Sequence, residues 1–314
     1  MPALKTSLVL LLAVLYLAAC STFDRQGVIQ TLAVNQAGNA SVPNVPFFPQ
    51  EKYQCGPASL AMMLVWAGVE VDPVQLKPLL YVPDKRGSFQ LEMSAAVRKY
   101  NRIAFLIPPN YRSLLQELQA GHPVLVFQNL GLSWYPEWHY AVLTGIDLEA
   151  GEARLHSGTI ADYHLNLATF DKTWQRSHRW AMVVLPPHSV PASVGVTAYT
   201  KVVYDLERSG RSELAMSAYQ AAIKHWPSDI DLKMALANLN YTKSLYQRAL
   251  DLYQDVLSLE ADYAPAHNNL AQAYFSMGEY QAALKHAEQA VRLAGPFQAS
   301  YQDTLNSVKH KLAN

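Results

Sequence analysis

The chain has 314 residues with 25 basic and 25 acidic side chains, and half of its residues are hydrophobic. This length and apolar content suffice for two folded domains. The balanced charge gives no electrostatic reason to expect nucleic-acid binding, so we exclude that class of partner.

The first residues have the pattern of a secretion signal. Lys5 is the only charge before an apolar run, 8–17, that is too short to span a bilayer. The run ends in Leu17-Ala18-Ala19-Cys20-Ser21, which resembles a bacterial lipobox. The resemblance implies a signal peptide over 1–19, lipidation of Cys20 and, with serine next, delivery to the outer membrane facing the periplasm. We therefore expect a lipid-anchored protein of the cell envelope, with an ordinary signal peptide as the alternative.

The next segments predict a tether and a mixed domain. Residues 20–41 are small and polar without an apolar period, which indicates a tether, and 42–187 combine helix and strand patterns. Helices are predicted from Pro57 to Gly68, 73–80, 89–100 and 112–119, and strands at 124–127, 139–145, 153–156, 163–167 and 180–185. Helices first and antiparallel strands afterwards indicate an α+β domain with the two classes segregated.

The last third of the chain repeats itself. In steps of 34 residues, Ala215, Ala249 and Ala283 fall at equivalent positions. This is the tetratricopeptide period, and it predicts an all-α solenoid that binds a peptide or protein partner. The copies are 196–229, 230–263 and 264–297, with a capping helix from Gln298 and a proline-rich linker over 188–195.

Cys55 is the candidate nucleophile. It lies at the start of the first helix, and the only other cysteine is the one assigned to lipid, so no disulfide partner remains for it. Free backbone amides and the positive end of a helix dipole favour a thiolate at this place. Gly56 leaves room for a substrate carbonyl, and the Cys55 amide can donate to an oxyanion. A small buried side chain is the alternative interpretation.

His139 is the candidate base. It opens a predicted strand after an aromatic loop, where it can reach across a cleft and take the thiol proton. A histidine that is merely hydrogen-bonded at a sheet edge is the alternative. The combination of the two residues, rather than either one, predicts cysteine-type catalysis.

Four stretches together resemble the papain-like peptidases of the bacteriocin-leader-processing family, over about residues 42–187. They are Val45-Pro46-Phe47-Phe48-Pro49-Gln50, Cys55-Gly56-Pro57-Ala58-Ser59-Leu60-Ala61-Met62, Gly121-His122-Pro123-Val124 and His139-Tyr140-Ala141-Val142-Leu143-Thr144-Gly145-Ile146-Asp147. The resemblance implies a papain-like fold, with Cys55 attacking a peptide carbonyl. It also implies His139 as general base and then acid, and Gln50 as oxyanion donor, with Gln54 as a rival for that role.

The chain departs from the family pattern in two places. Gln50 stands five residues before Cys55, where better-known members commonly have six. The family usually has Asp followed by Pro on the strand after the histidine strand. The matching stretch here is Leu155-His156-Ser157-Gly158-Thr159. We therefore expect His156 or Ser157 to orient His139, or Asp162 to reach it from the next loop.

The sequence leaves the reaction and the substrate partly open. The predicted function is a membrane-anchored cysteine peptidase, and the alternatives are a thiol acyltransferase or amidase on the same scaffold and a catalytically silent scaffold of repeats. Trp134, Tyr135 and Trp138 either line a substrate cleft or cover the sheet. No cofactor is expected, and no metal, because the histidines and cysteines lack the spacing of metal ligands.

Overall fold

The structure is a computed structural model, and it describes residues 39–50, 54–81 and 87–314. The predicted signal peptide, Cys20 and most of the predicted tether lie outside the described residues. Within those ranges, none of the helices combines the length and the apolar character needed to cross a membrane.

The chain divides into two compact units. The first contains the described residues up to Ala96 together with Leu106–Val183, and the second contains Val97–Phe105 together with Val184–Asn314. The chain passes for the last time from the first unit to the second after Val183, just before the predicted linker, 188–195. The sequence had not predicted that Val97–Phe105 belongs to the second unit.

The mixed domain contains five helices and a seven-stranded sheet in its described part. The sheet order is β2-β7-β3-β4-β5-β6, with β1 paired to β4. The helices are α1 (Cys55–Trp66), α2 (Pro73–Leu80), α3 (Gln90–Lys99), α4 (Tyr111–Gln119) and α5 (Leu167–Gln175). The strands are β1 (Ala40–Ser41), β2 (Ile103–Leu106), β3 (Val124–Asn129), β4 (Trp138–Asp147), β5 (Glu152–Ser157), β6 (Ile160–Asn166) and β7 (Ala181–Leu185).

Local sequence signals explain where several of these helices begin. The side chain of Asp72 accepts the N–H of Gln75 and the side chain of Gln75 accepts the N–H of Asp72, which makes a capping box at the start of α2. Asn110 caps α4 with a single bond, because its side chain accepts the N–H of Ser113. The four predicted helices and five predicted strands are all present. The structure adds β1, β2 and α5, so that helices and strands alternate more than expected.

The end of the predicted tether requires a correction. Ala40 and Ser41 form β1 and pair with Ile146 and Gly145 of β4, and Asn39 accepts the N–H of Leu148. The backbone pairing of Ala40 and Ser41 and the side-chain Oδ1 of Asn39 attach this segment to the sheet without requiring an apolar period. The folded domain therefore includes the last residues that the sequence had assigned to the tether.

The second unit carries seven successive helices in its C-terminal part. They are α6 (Val196–Arg208), α7 (Ser212–His225), α8 (Ile230–Thr242), α9 (Tyr246–Leu259), α10 (Ala264–Ser276), α11 (Tyr280–Leu293) and α12 (Gln298–Ala313). Helices α6, α8 and α10 begin at the first residue of each predicted copy. The aligned alanines Ala215, Ala249 and Ala283 are fully buried, where small side chains let paired helices approach closely. The predicted fold, an α+β domain followed by a helical repeat solenoid, is confirmed.

Candidate active site

Cys55 is the first residue of α1 and its thiol is half-buried. The thiol accepts a hydrogen bond from the backbone N–H of Tyr140. This N–H and the backbone amides of Gly56 and Cys55 itself each lower the pKa of the thiol. Burial raises the pKa of the Cys55 thiol, because it disfavours the charged form more than these amides stabilise it. The amides at the helix start favour the thiolate, as expected, but burial outweighs them in the resting site, and the neutral thiol needs a base.

Gly56 has a packing role that the sequence did not reveal. A Cβ at this position would overlap the side chain of Ser88, which lies directly against the glycine. The place that a side chain of residue 56 would take is thus occupied by Ser88. The glycine is explained by this close approach of two segments.

His139 is the second residue of β4 and is half-buried. Its Nε2 lies 2.9 Å from Oγ of Ser157. Burial lowers the pKa of His139 to about 4, because the imidazolium loses solvation there. The imidazole is therefore neutral at neutral pH, which is the form that accepts a proton.

Tyr140 connects the two candidate catalytic residues. It follows His139 in β4 and donates its N–H to the Cys55 thiol. The described contacts include no direct hydrogen bond between Cys55 and His139. Strand β4 thus places His139 next in sequence to the residue that binds the nucleophile, and with Nε2 at Ser157 the ring nitrogen that would accept the thiol proton is Nδ1.

Ser157, rather than His156, is the residue that contacts His139. His156 is buried, its Nε2 lies 3.0 Å from the carbonyl oxygen of Val45, and its Nδ1 accepts the N–H of Asp162. Both ring nitrogens of His156 are therefore occupied. The Asp162 carboxylate contacts His164 instead, and among the described residues no carboxylate is hydrogen-bonded to His139.

Gln50 is buried in a network that joins three segments. Its Nε2 donates to Oγ of Ser59 at 3.0 Å and to the carbonyl of Tyr140 at 3.3 Å, and its Oε1 accepts the N–H of Gly158. Ser59 also donates to the Tyr140 carbonyl. Both N–H groups of the carboxamide are used in this way, so this arrangement leaves none for an oxyanion. Gln50 instead fixes α1 and β4 beside each other.

We expect Gln50→Ala to lower the free energy of unfolding by about 2 to 4 kcal/mol, because it removes the buried hydrogen bonds to Ser59 and the Tyr140 carbonyl and leaves the half-buried N–H of Gly158 without its partner. Urea unfolding of Gln50→Ala, beside Gln220→Ala at an exposed position as control, measures this. Wild-type stability combined with a fall in kcat of about 10²- to 10³-fold would contradict the assignment and return the oxyanion role to Gln50.

Ser59 is a member of this network that sequence reasoning missed. It lies one helical turn after Cys55, on the buried side of α1. That spacing was visible in the sequence, but its partner, the backbone carbonyl of Tyr140, was not. Of the sequence-predicted residues, the structure brings Cys55, His139, Ser157 and Gln50 to one end of β4.

No candidate metal centre arises in the described ranges, where no group of three His, Cys, Asp or Glu side chains is placed to hold an ion. The exposed aromatic residues Trp134 and Tyr135 lie at the tip of a hairpin that leads into β4. Trp138 lies at the start of that strand, directly before His139.

Comparisons with known proteins match one segment in each part of the chain. Residues 42–182 match the model of the Peptidase_C39 like family, and residues 231–294 match that of the tetratricopeptide repeat. The comparison with curated proteins found no match.

Among solved structures, a putative C39-like peptidase from Bacillus anthracis is 19% identical, with a TM-score of 0.40 over 47% of this chain and 97% of that chain. The first TPR of Spaghetti (RPAP3), bound to an HSP90 peptide, is 17% identical, with a TM-score of 0.36 over 38% of this chain and 93% of that chain. The Yersinia enterocolitica type III secretion translocator chaperone SycD is also 17% identical, with a TM-score of 0.36 over 38% of this chain and 86% of that chain. On the two matches to family models, the chain joins a Peptidase_C39-like domain, residues 42–182, to tetratricopeptide repeats.

Proposed function

We propose that this protein is a cysteine peptidase in which Cys55 is the nucleophile and His139 the general base and acid. One observation carries the proposal. A free thiol at the start of α1 is bound by the N–H of Tyr140, and the residue directly before Tyr140 in β4 is His139, whose neutral imidazole is held by Ser157. The match of residues 42–182 to a peptidase family supports the same chemistry.

A neutral thiol and a neutral imidazole correspond to a general-base mechanism rather than to a preformed ion pair. The Cys55 proton passes to neutral His139 as sulfur attacks the peptide carbonyl, and the N–H of Cys55 stabilises the oxyanion. The imidazolium then protonates the leaving amine, which leaves a thioester on Cys55. Water, activated by His139, hydrolyses the thioester and releases the acid. For His139 to accept the thiol proton at Nδ1, its Nε2 must already be protonated. Nε2 then donates a hydrogen bond to Oγ of Ser157.

The proposal is tested by selective alkylation. The protein is incubated with a peptide library before and after treatment with iodoacetamide, and mass spectrometry maps the label. Cleavage that disappears in step with labelling of Cys55 supports the peptidase. Cleavage that survives full labelling of Cys55 contradicts it, and transfer of the acyl group to an added amine without hydrolysis assigns an acyltransferase instead.

We also propose that the protein is a lipoprotein of the cell envelope whose repeats bind a peptide or protein partner. The anchor rests on the sequence around Cys20, and the partner rests on the tetratricopeptide match over residues 231–294. Radiolabelled palmitate incorporated by the wild type but not by Cys20→Ala tests the anchor. An unlabelled wild-type protein contradicts it.

One observation favours a second candidate function, a catalytically silent scaffold in which the repeats carry the activity. Among the described residues, His139 has a hydroxyl partner where the resembling peptidases have a carboxylate. A protein that binds its partner and cleaves no peptide is the result that selects this candidate.

A further inference from the structure

A strip of aromatic side chains covers one face of β4 and its neighbour β3. Side chains of alternate strand residues share a face, so Trp138 and Tyr140 lie on the same side, and Phe127 is the cross-strand partner of Tyr140. The rings of Phe127 and Trp138 stack with centroids 5.1 Å apart, and those of Phe127 and Tyr140 lie 4.5 Å apart. Trp180 packs edge-on against the strip. We call Trp138, Phe127 and Tyr140 the aromatic strip.

The aromatic strip runs from solvent to the candidate nucleophile. Trp138 is 50% exposed, Phe127 is half-buried and Tyr140 is 1% exposed. The backbone of Tyr140 binds Cys55 through its N–H and Ser59 through its carbonyl, which places α1 at the inner end of the strip. Two strand residues span about 7 Å, which is also the span of two residues in an extended peptide. A peptide that lies along the strip with its reactive carbonyl at the inner end would place a side chain over Trp138 one or two residues from that carbonyl.

The chain that leads into the strip is held in place before any substrate binds. Oδ1 of Asn129 accepts the N–H groups of Gly131 and Glu137, and the guanidinium of Arg176 donates to the Gly131 carbonyl at 2.7 Å. Leu132 and Tyr135 exchange two backbone hydrogen bonds across the turn. A surface that is ordered in advance costs less entropy on binding.

The chemistry of this region selects its occupant. Residues 130–136 contain no charged side chain, and at the tip Trp134 is 81% exposed with its ring beside that of Tyr135. Aromatic faces bind other aromatic or large aliphatic groups through apolar burial and offset stacking. Residues 130–136 offer a charged group no ion pair, and the charges that flank them are those of Glu137 and Arg176.

We propose that the aromatic strip is the subsite that selects peptides with an aromatic or large aliphatic side chain one or two residues from the bond attacked by Cys55. This inference rests on the proposed peptidase function. It adds the substrate class and makes Trp138 a residue that determines specificity.

The test uses peptides that differ at one position, which carries Phe, Leu, Ala, Glu or Lys. We expect the wild type to favour Phe and Leu in kcat/KM. We expect Trp138→Ala to lose about 10- to 100-fold for the Phe peptide and to abolish most of the difference between the Phe and Ala peptides. Trp138→Phe should restore most of the preference, and Tyr204→Ala, at a half-exposed aromatic in the other unit, should leave it unchanged. An equal loss for every peptide, or a preference for Glu or Lys, overturns the subsite.

A binding measurement separates failure of the subsite from failure of the peptidase. The Cys55→Ala protein keeps the strip, and its affinity for the same peptides is measured with and without Trp138→Ala. If the wild type cleaves nothing but Cys55→Ala binds the Phe peptide best and loses this preference with Trp138→Ala, the subsite stands without the peptidase. Equal affinity for all peptides overturns the subsite. The subsite is also overturned if Trp138→Ala weakens binding to phosphatidylglycerol vesicles but leaves peptide binding unchanged. That result assigns the surface to membrane contact.

Discussion

Replacing either Cys55 or His139 by alanine is expected to lower kcat for peptide hydrolysis by at least about 10⁴-fold, and the double variant is expected to lose no more than the worse single variant. The reason lies in the resting protonation states. Burial raises the pKa of the thiol and lowers that of the imidazole, so the nucleophile forms only when His139 takes its proton. Two residues that act as one unit give losses that do not add.

The measurement is kcat for the three variants on the best-cleaved peptide. His164→Ala is the control, because His164 is exposed on β6 and contacts only carboxylates in the described contacts. The rate of iodoacetamide labelling at neutral pH should also fall in His139→Ala. Additive losses in the double variant, or an unchanged labelling rate, remove His139 from the mechanism.

Ser157→Ala is expected to lower kcat by about 10- to 100-fold, because it removes the hydrogen bond that fixes the imidazole of His139. Ser157→Asp is expected to shift the acidic limb of the pH–rate profile upward. In the wild type, His139 is protonated as pH falls through about 4. A carboxylate beside the ring favours the imidazolium, so the base form is lost at a higher pH.

The matched control is Thr159→Asp, which adds the same charge two residues further along the chain, at an exposed position. It should leave the profile of kcat against pH unchanged. A Ser157→Ala variant that loses stability but keeps wild-type kcat gives Ser157 a purely structural role. An acidic limb in Ser157→Asp that stays at the wild-type pH shows that the side chain does not act on His139.

The two sets of variants also decide between the peptidase and the silent scaffold. A hydroxyl partner holds an imidazole less strongly than a carboxylate, because a hydrogen bond to a charged group is about twice as strong. The peptidase therefore predicts low activity in the wild type that depends on Cys55, and higher activity at neutral pH in Ser157→Asp. A silent scaffold predicts no hydrolysis in either protein.

Local features of the fold were predictable from the sequence. The capping residues Asp72 and Asn110 start helices because their side chains satisfy free N–H groups a few residues away. The period of 34 residues placed Ala215, Ala249 and Ala283 at buried positions, because each repeat packs against its neighbour in the same way. These signals depend on residues close together in the chain or on a fixed period.

Other features depend on contacts between distant parts of the chain. Helix α5 and strands β1 and β2 were missed, since β1 is attached by backbone bonds to a strand more than a hundred residues later. The choice of Ser157 over His156 followed from strand alternation, which directs neighbouring side chains to opposite faces. The sequence could propose both residues but could not choose between them.

The sequence by itself determined the candidate nucleophile and base, because Cys55 and His139 are recognised by residue type, position at a helix or strand start, and order. Only the tertiary structure decided their protonation states and the contacts of Gln50. The pKa values of Cys55 and His139 follow from desolvation, which arises when distant segments pack around them. The carboxamide of Gln50 is engaged by Ser59, Tyr140 and Gly158, a network that forms only when α1, β4 and the β5–β6 turn meet.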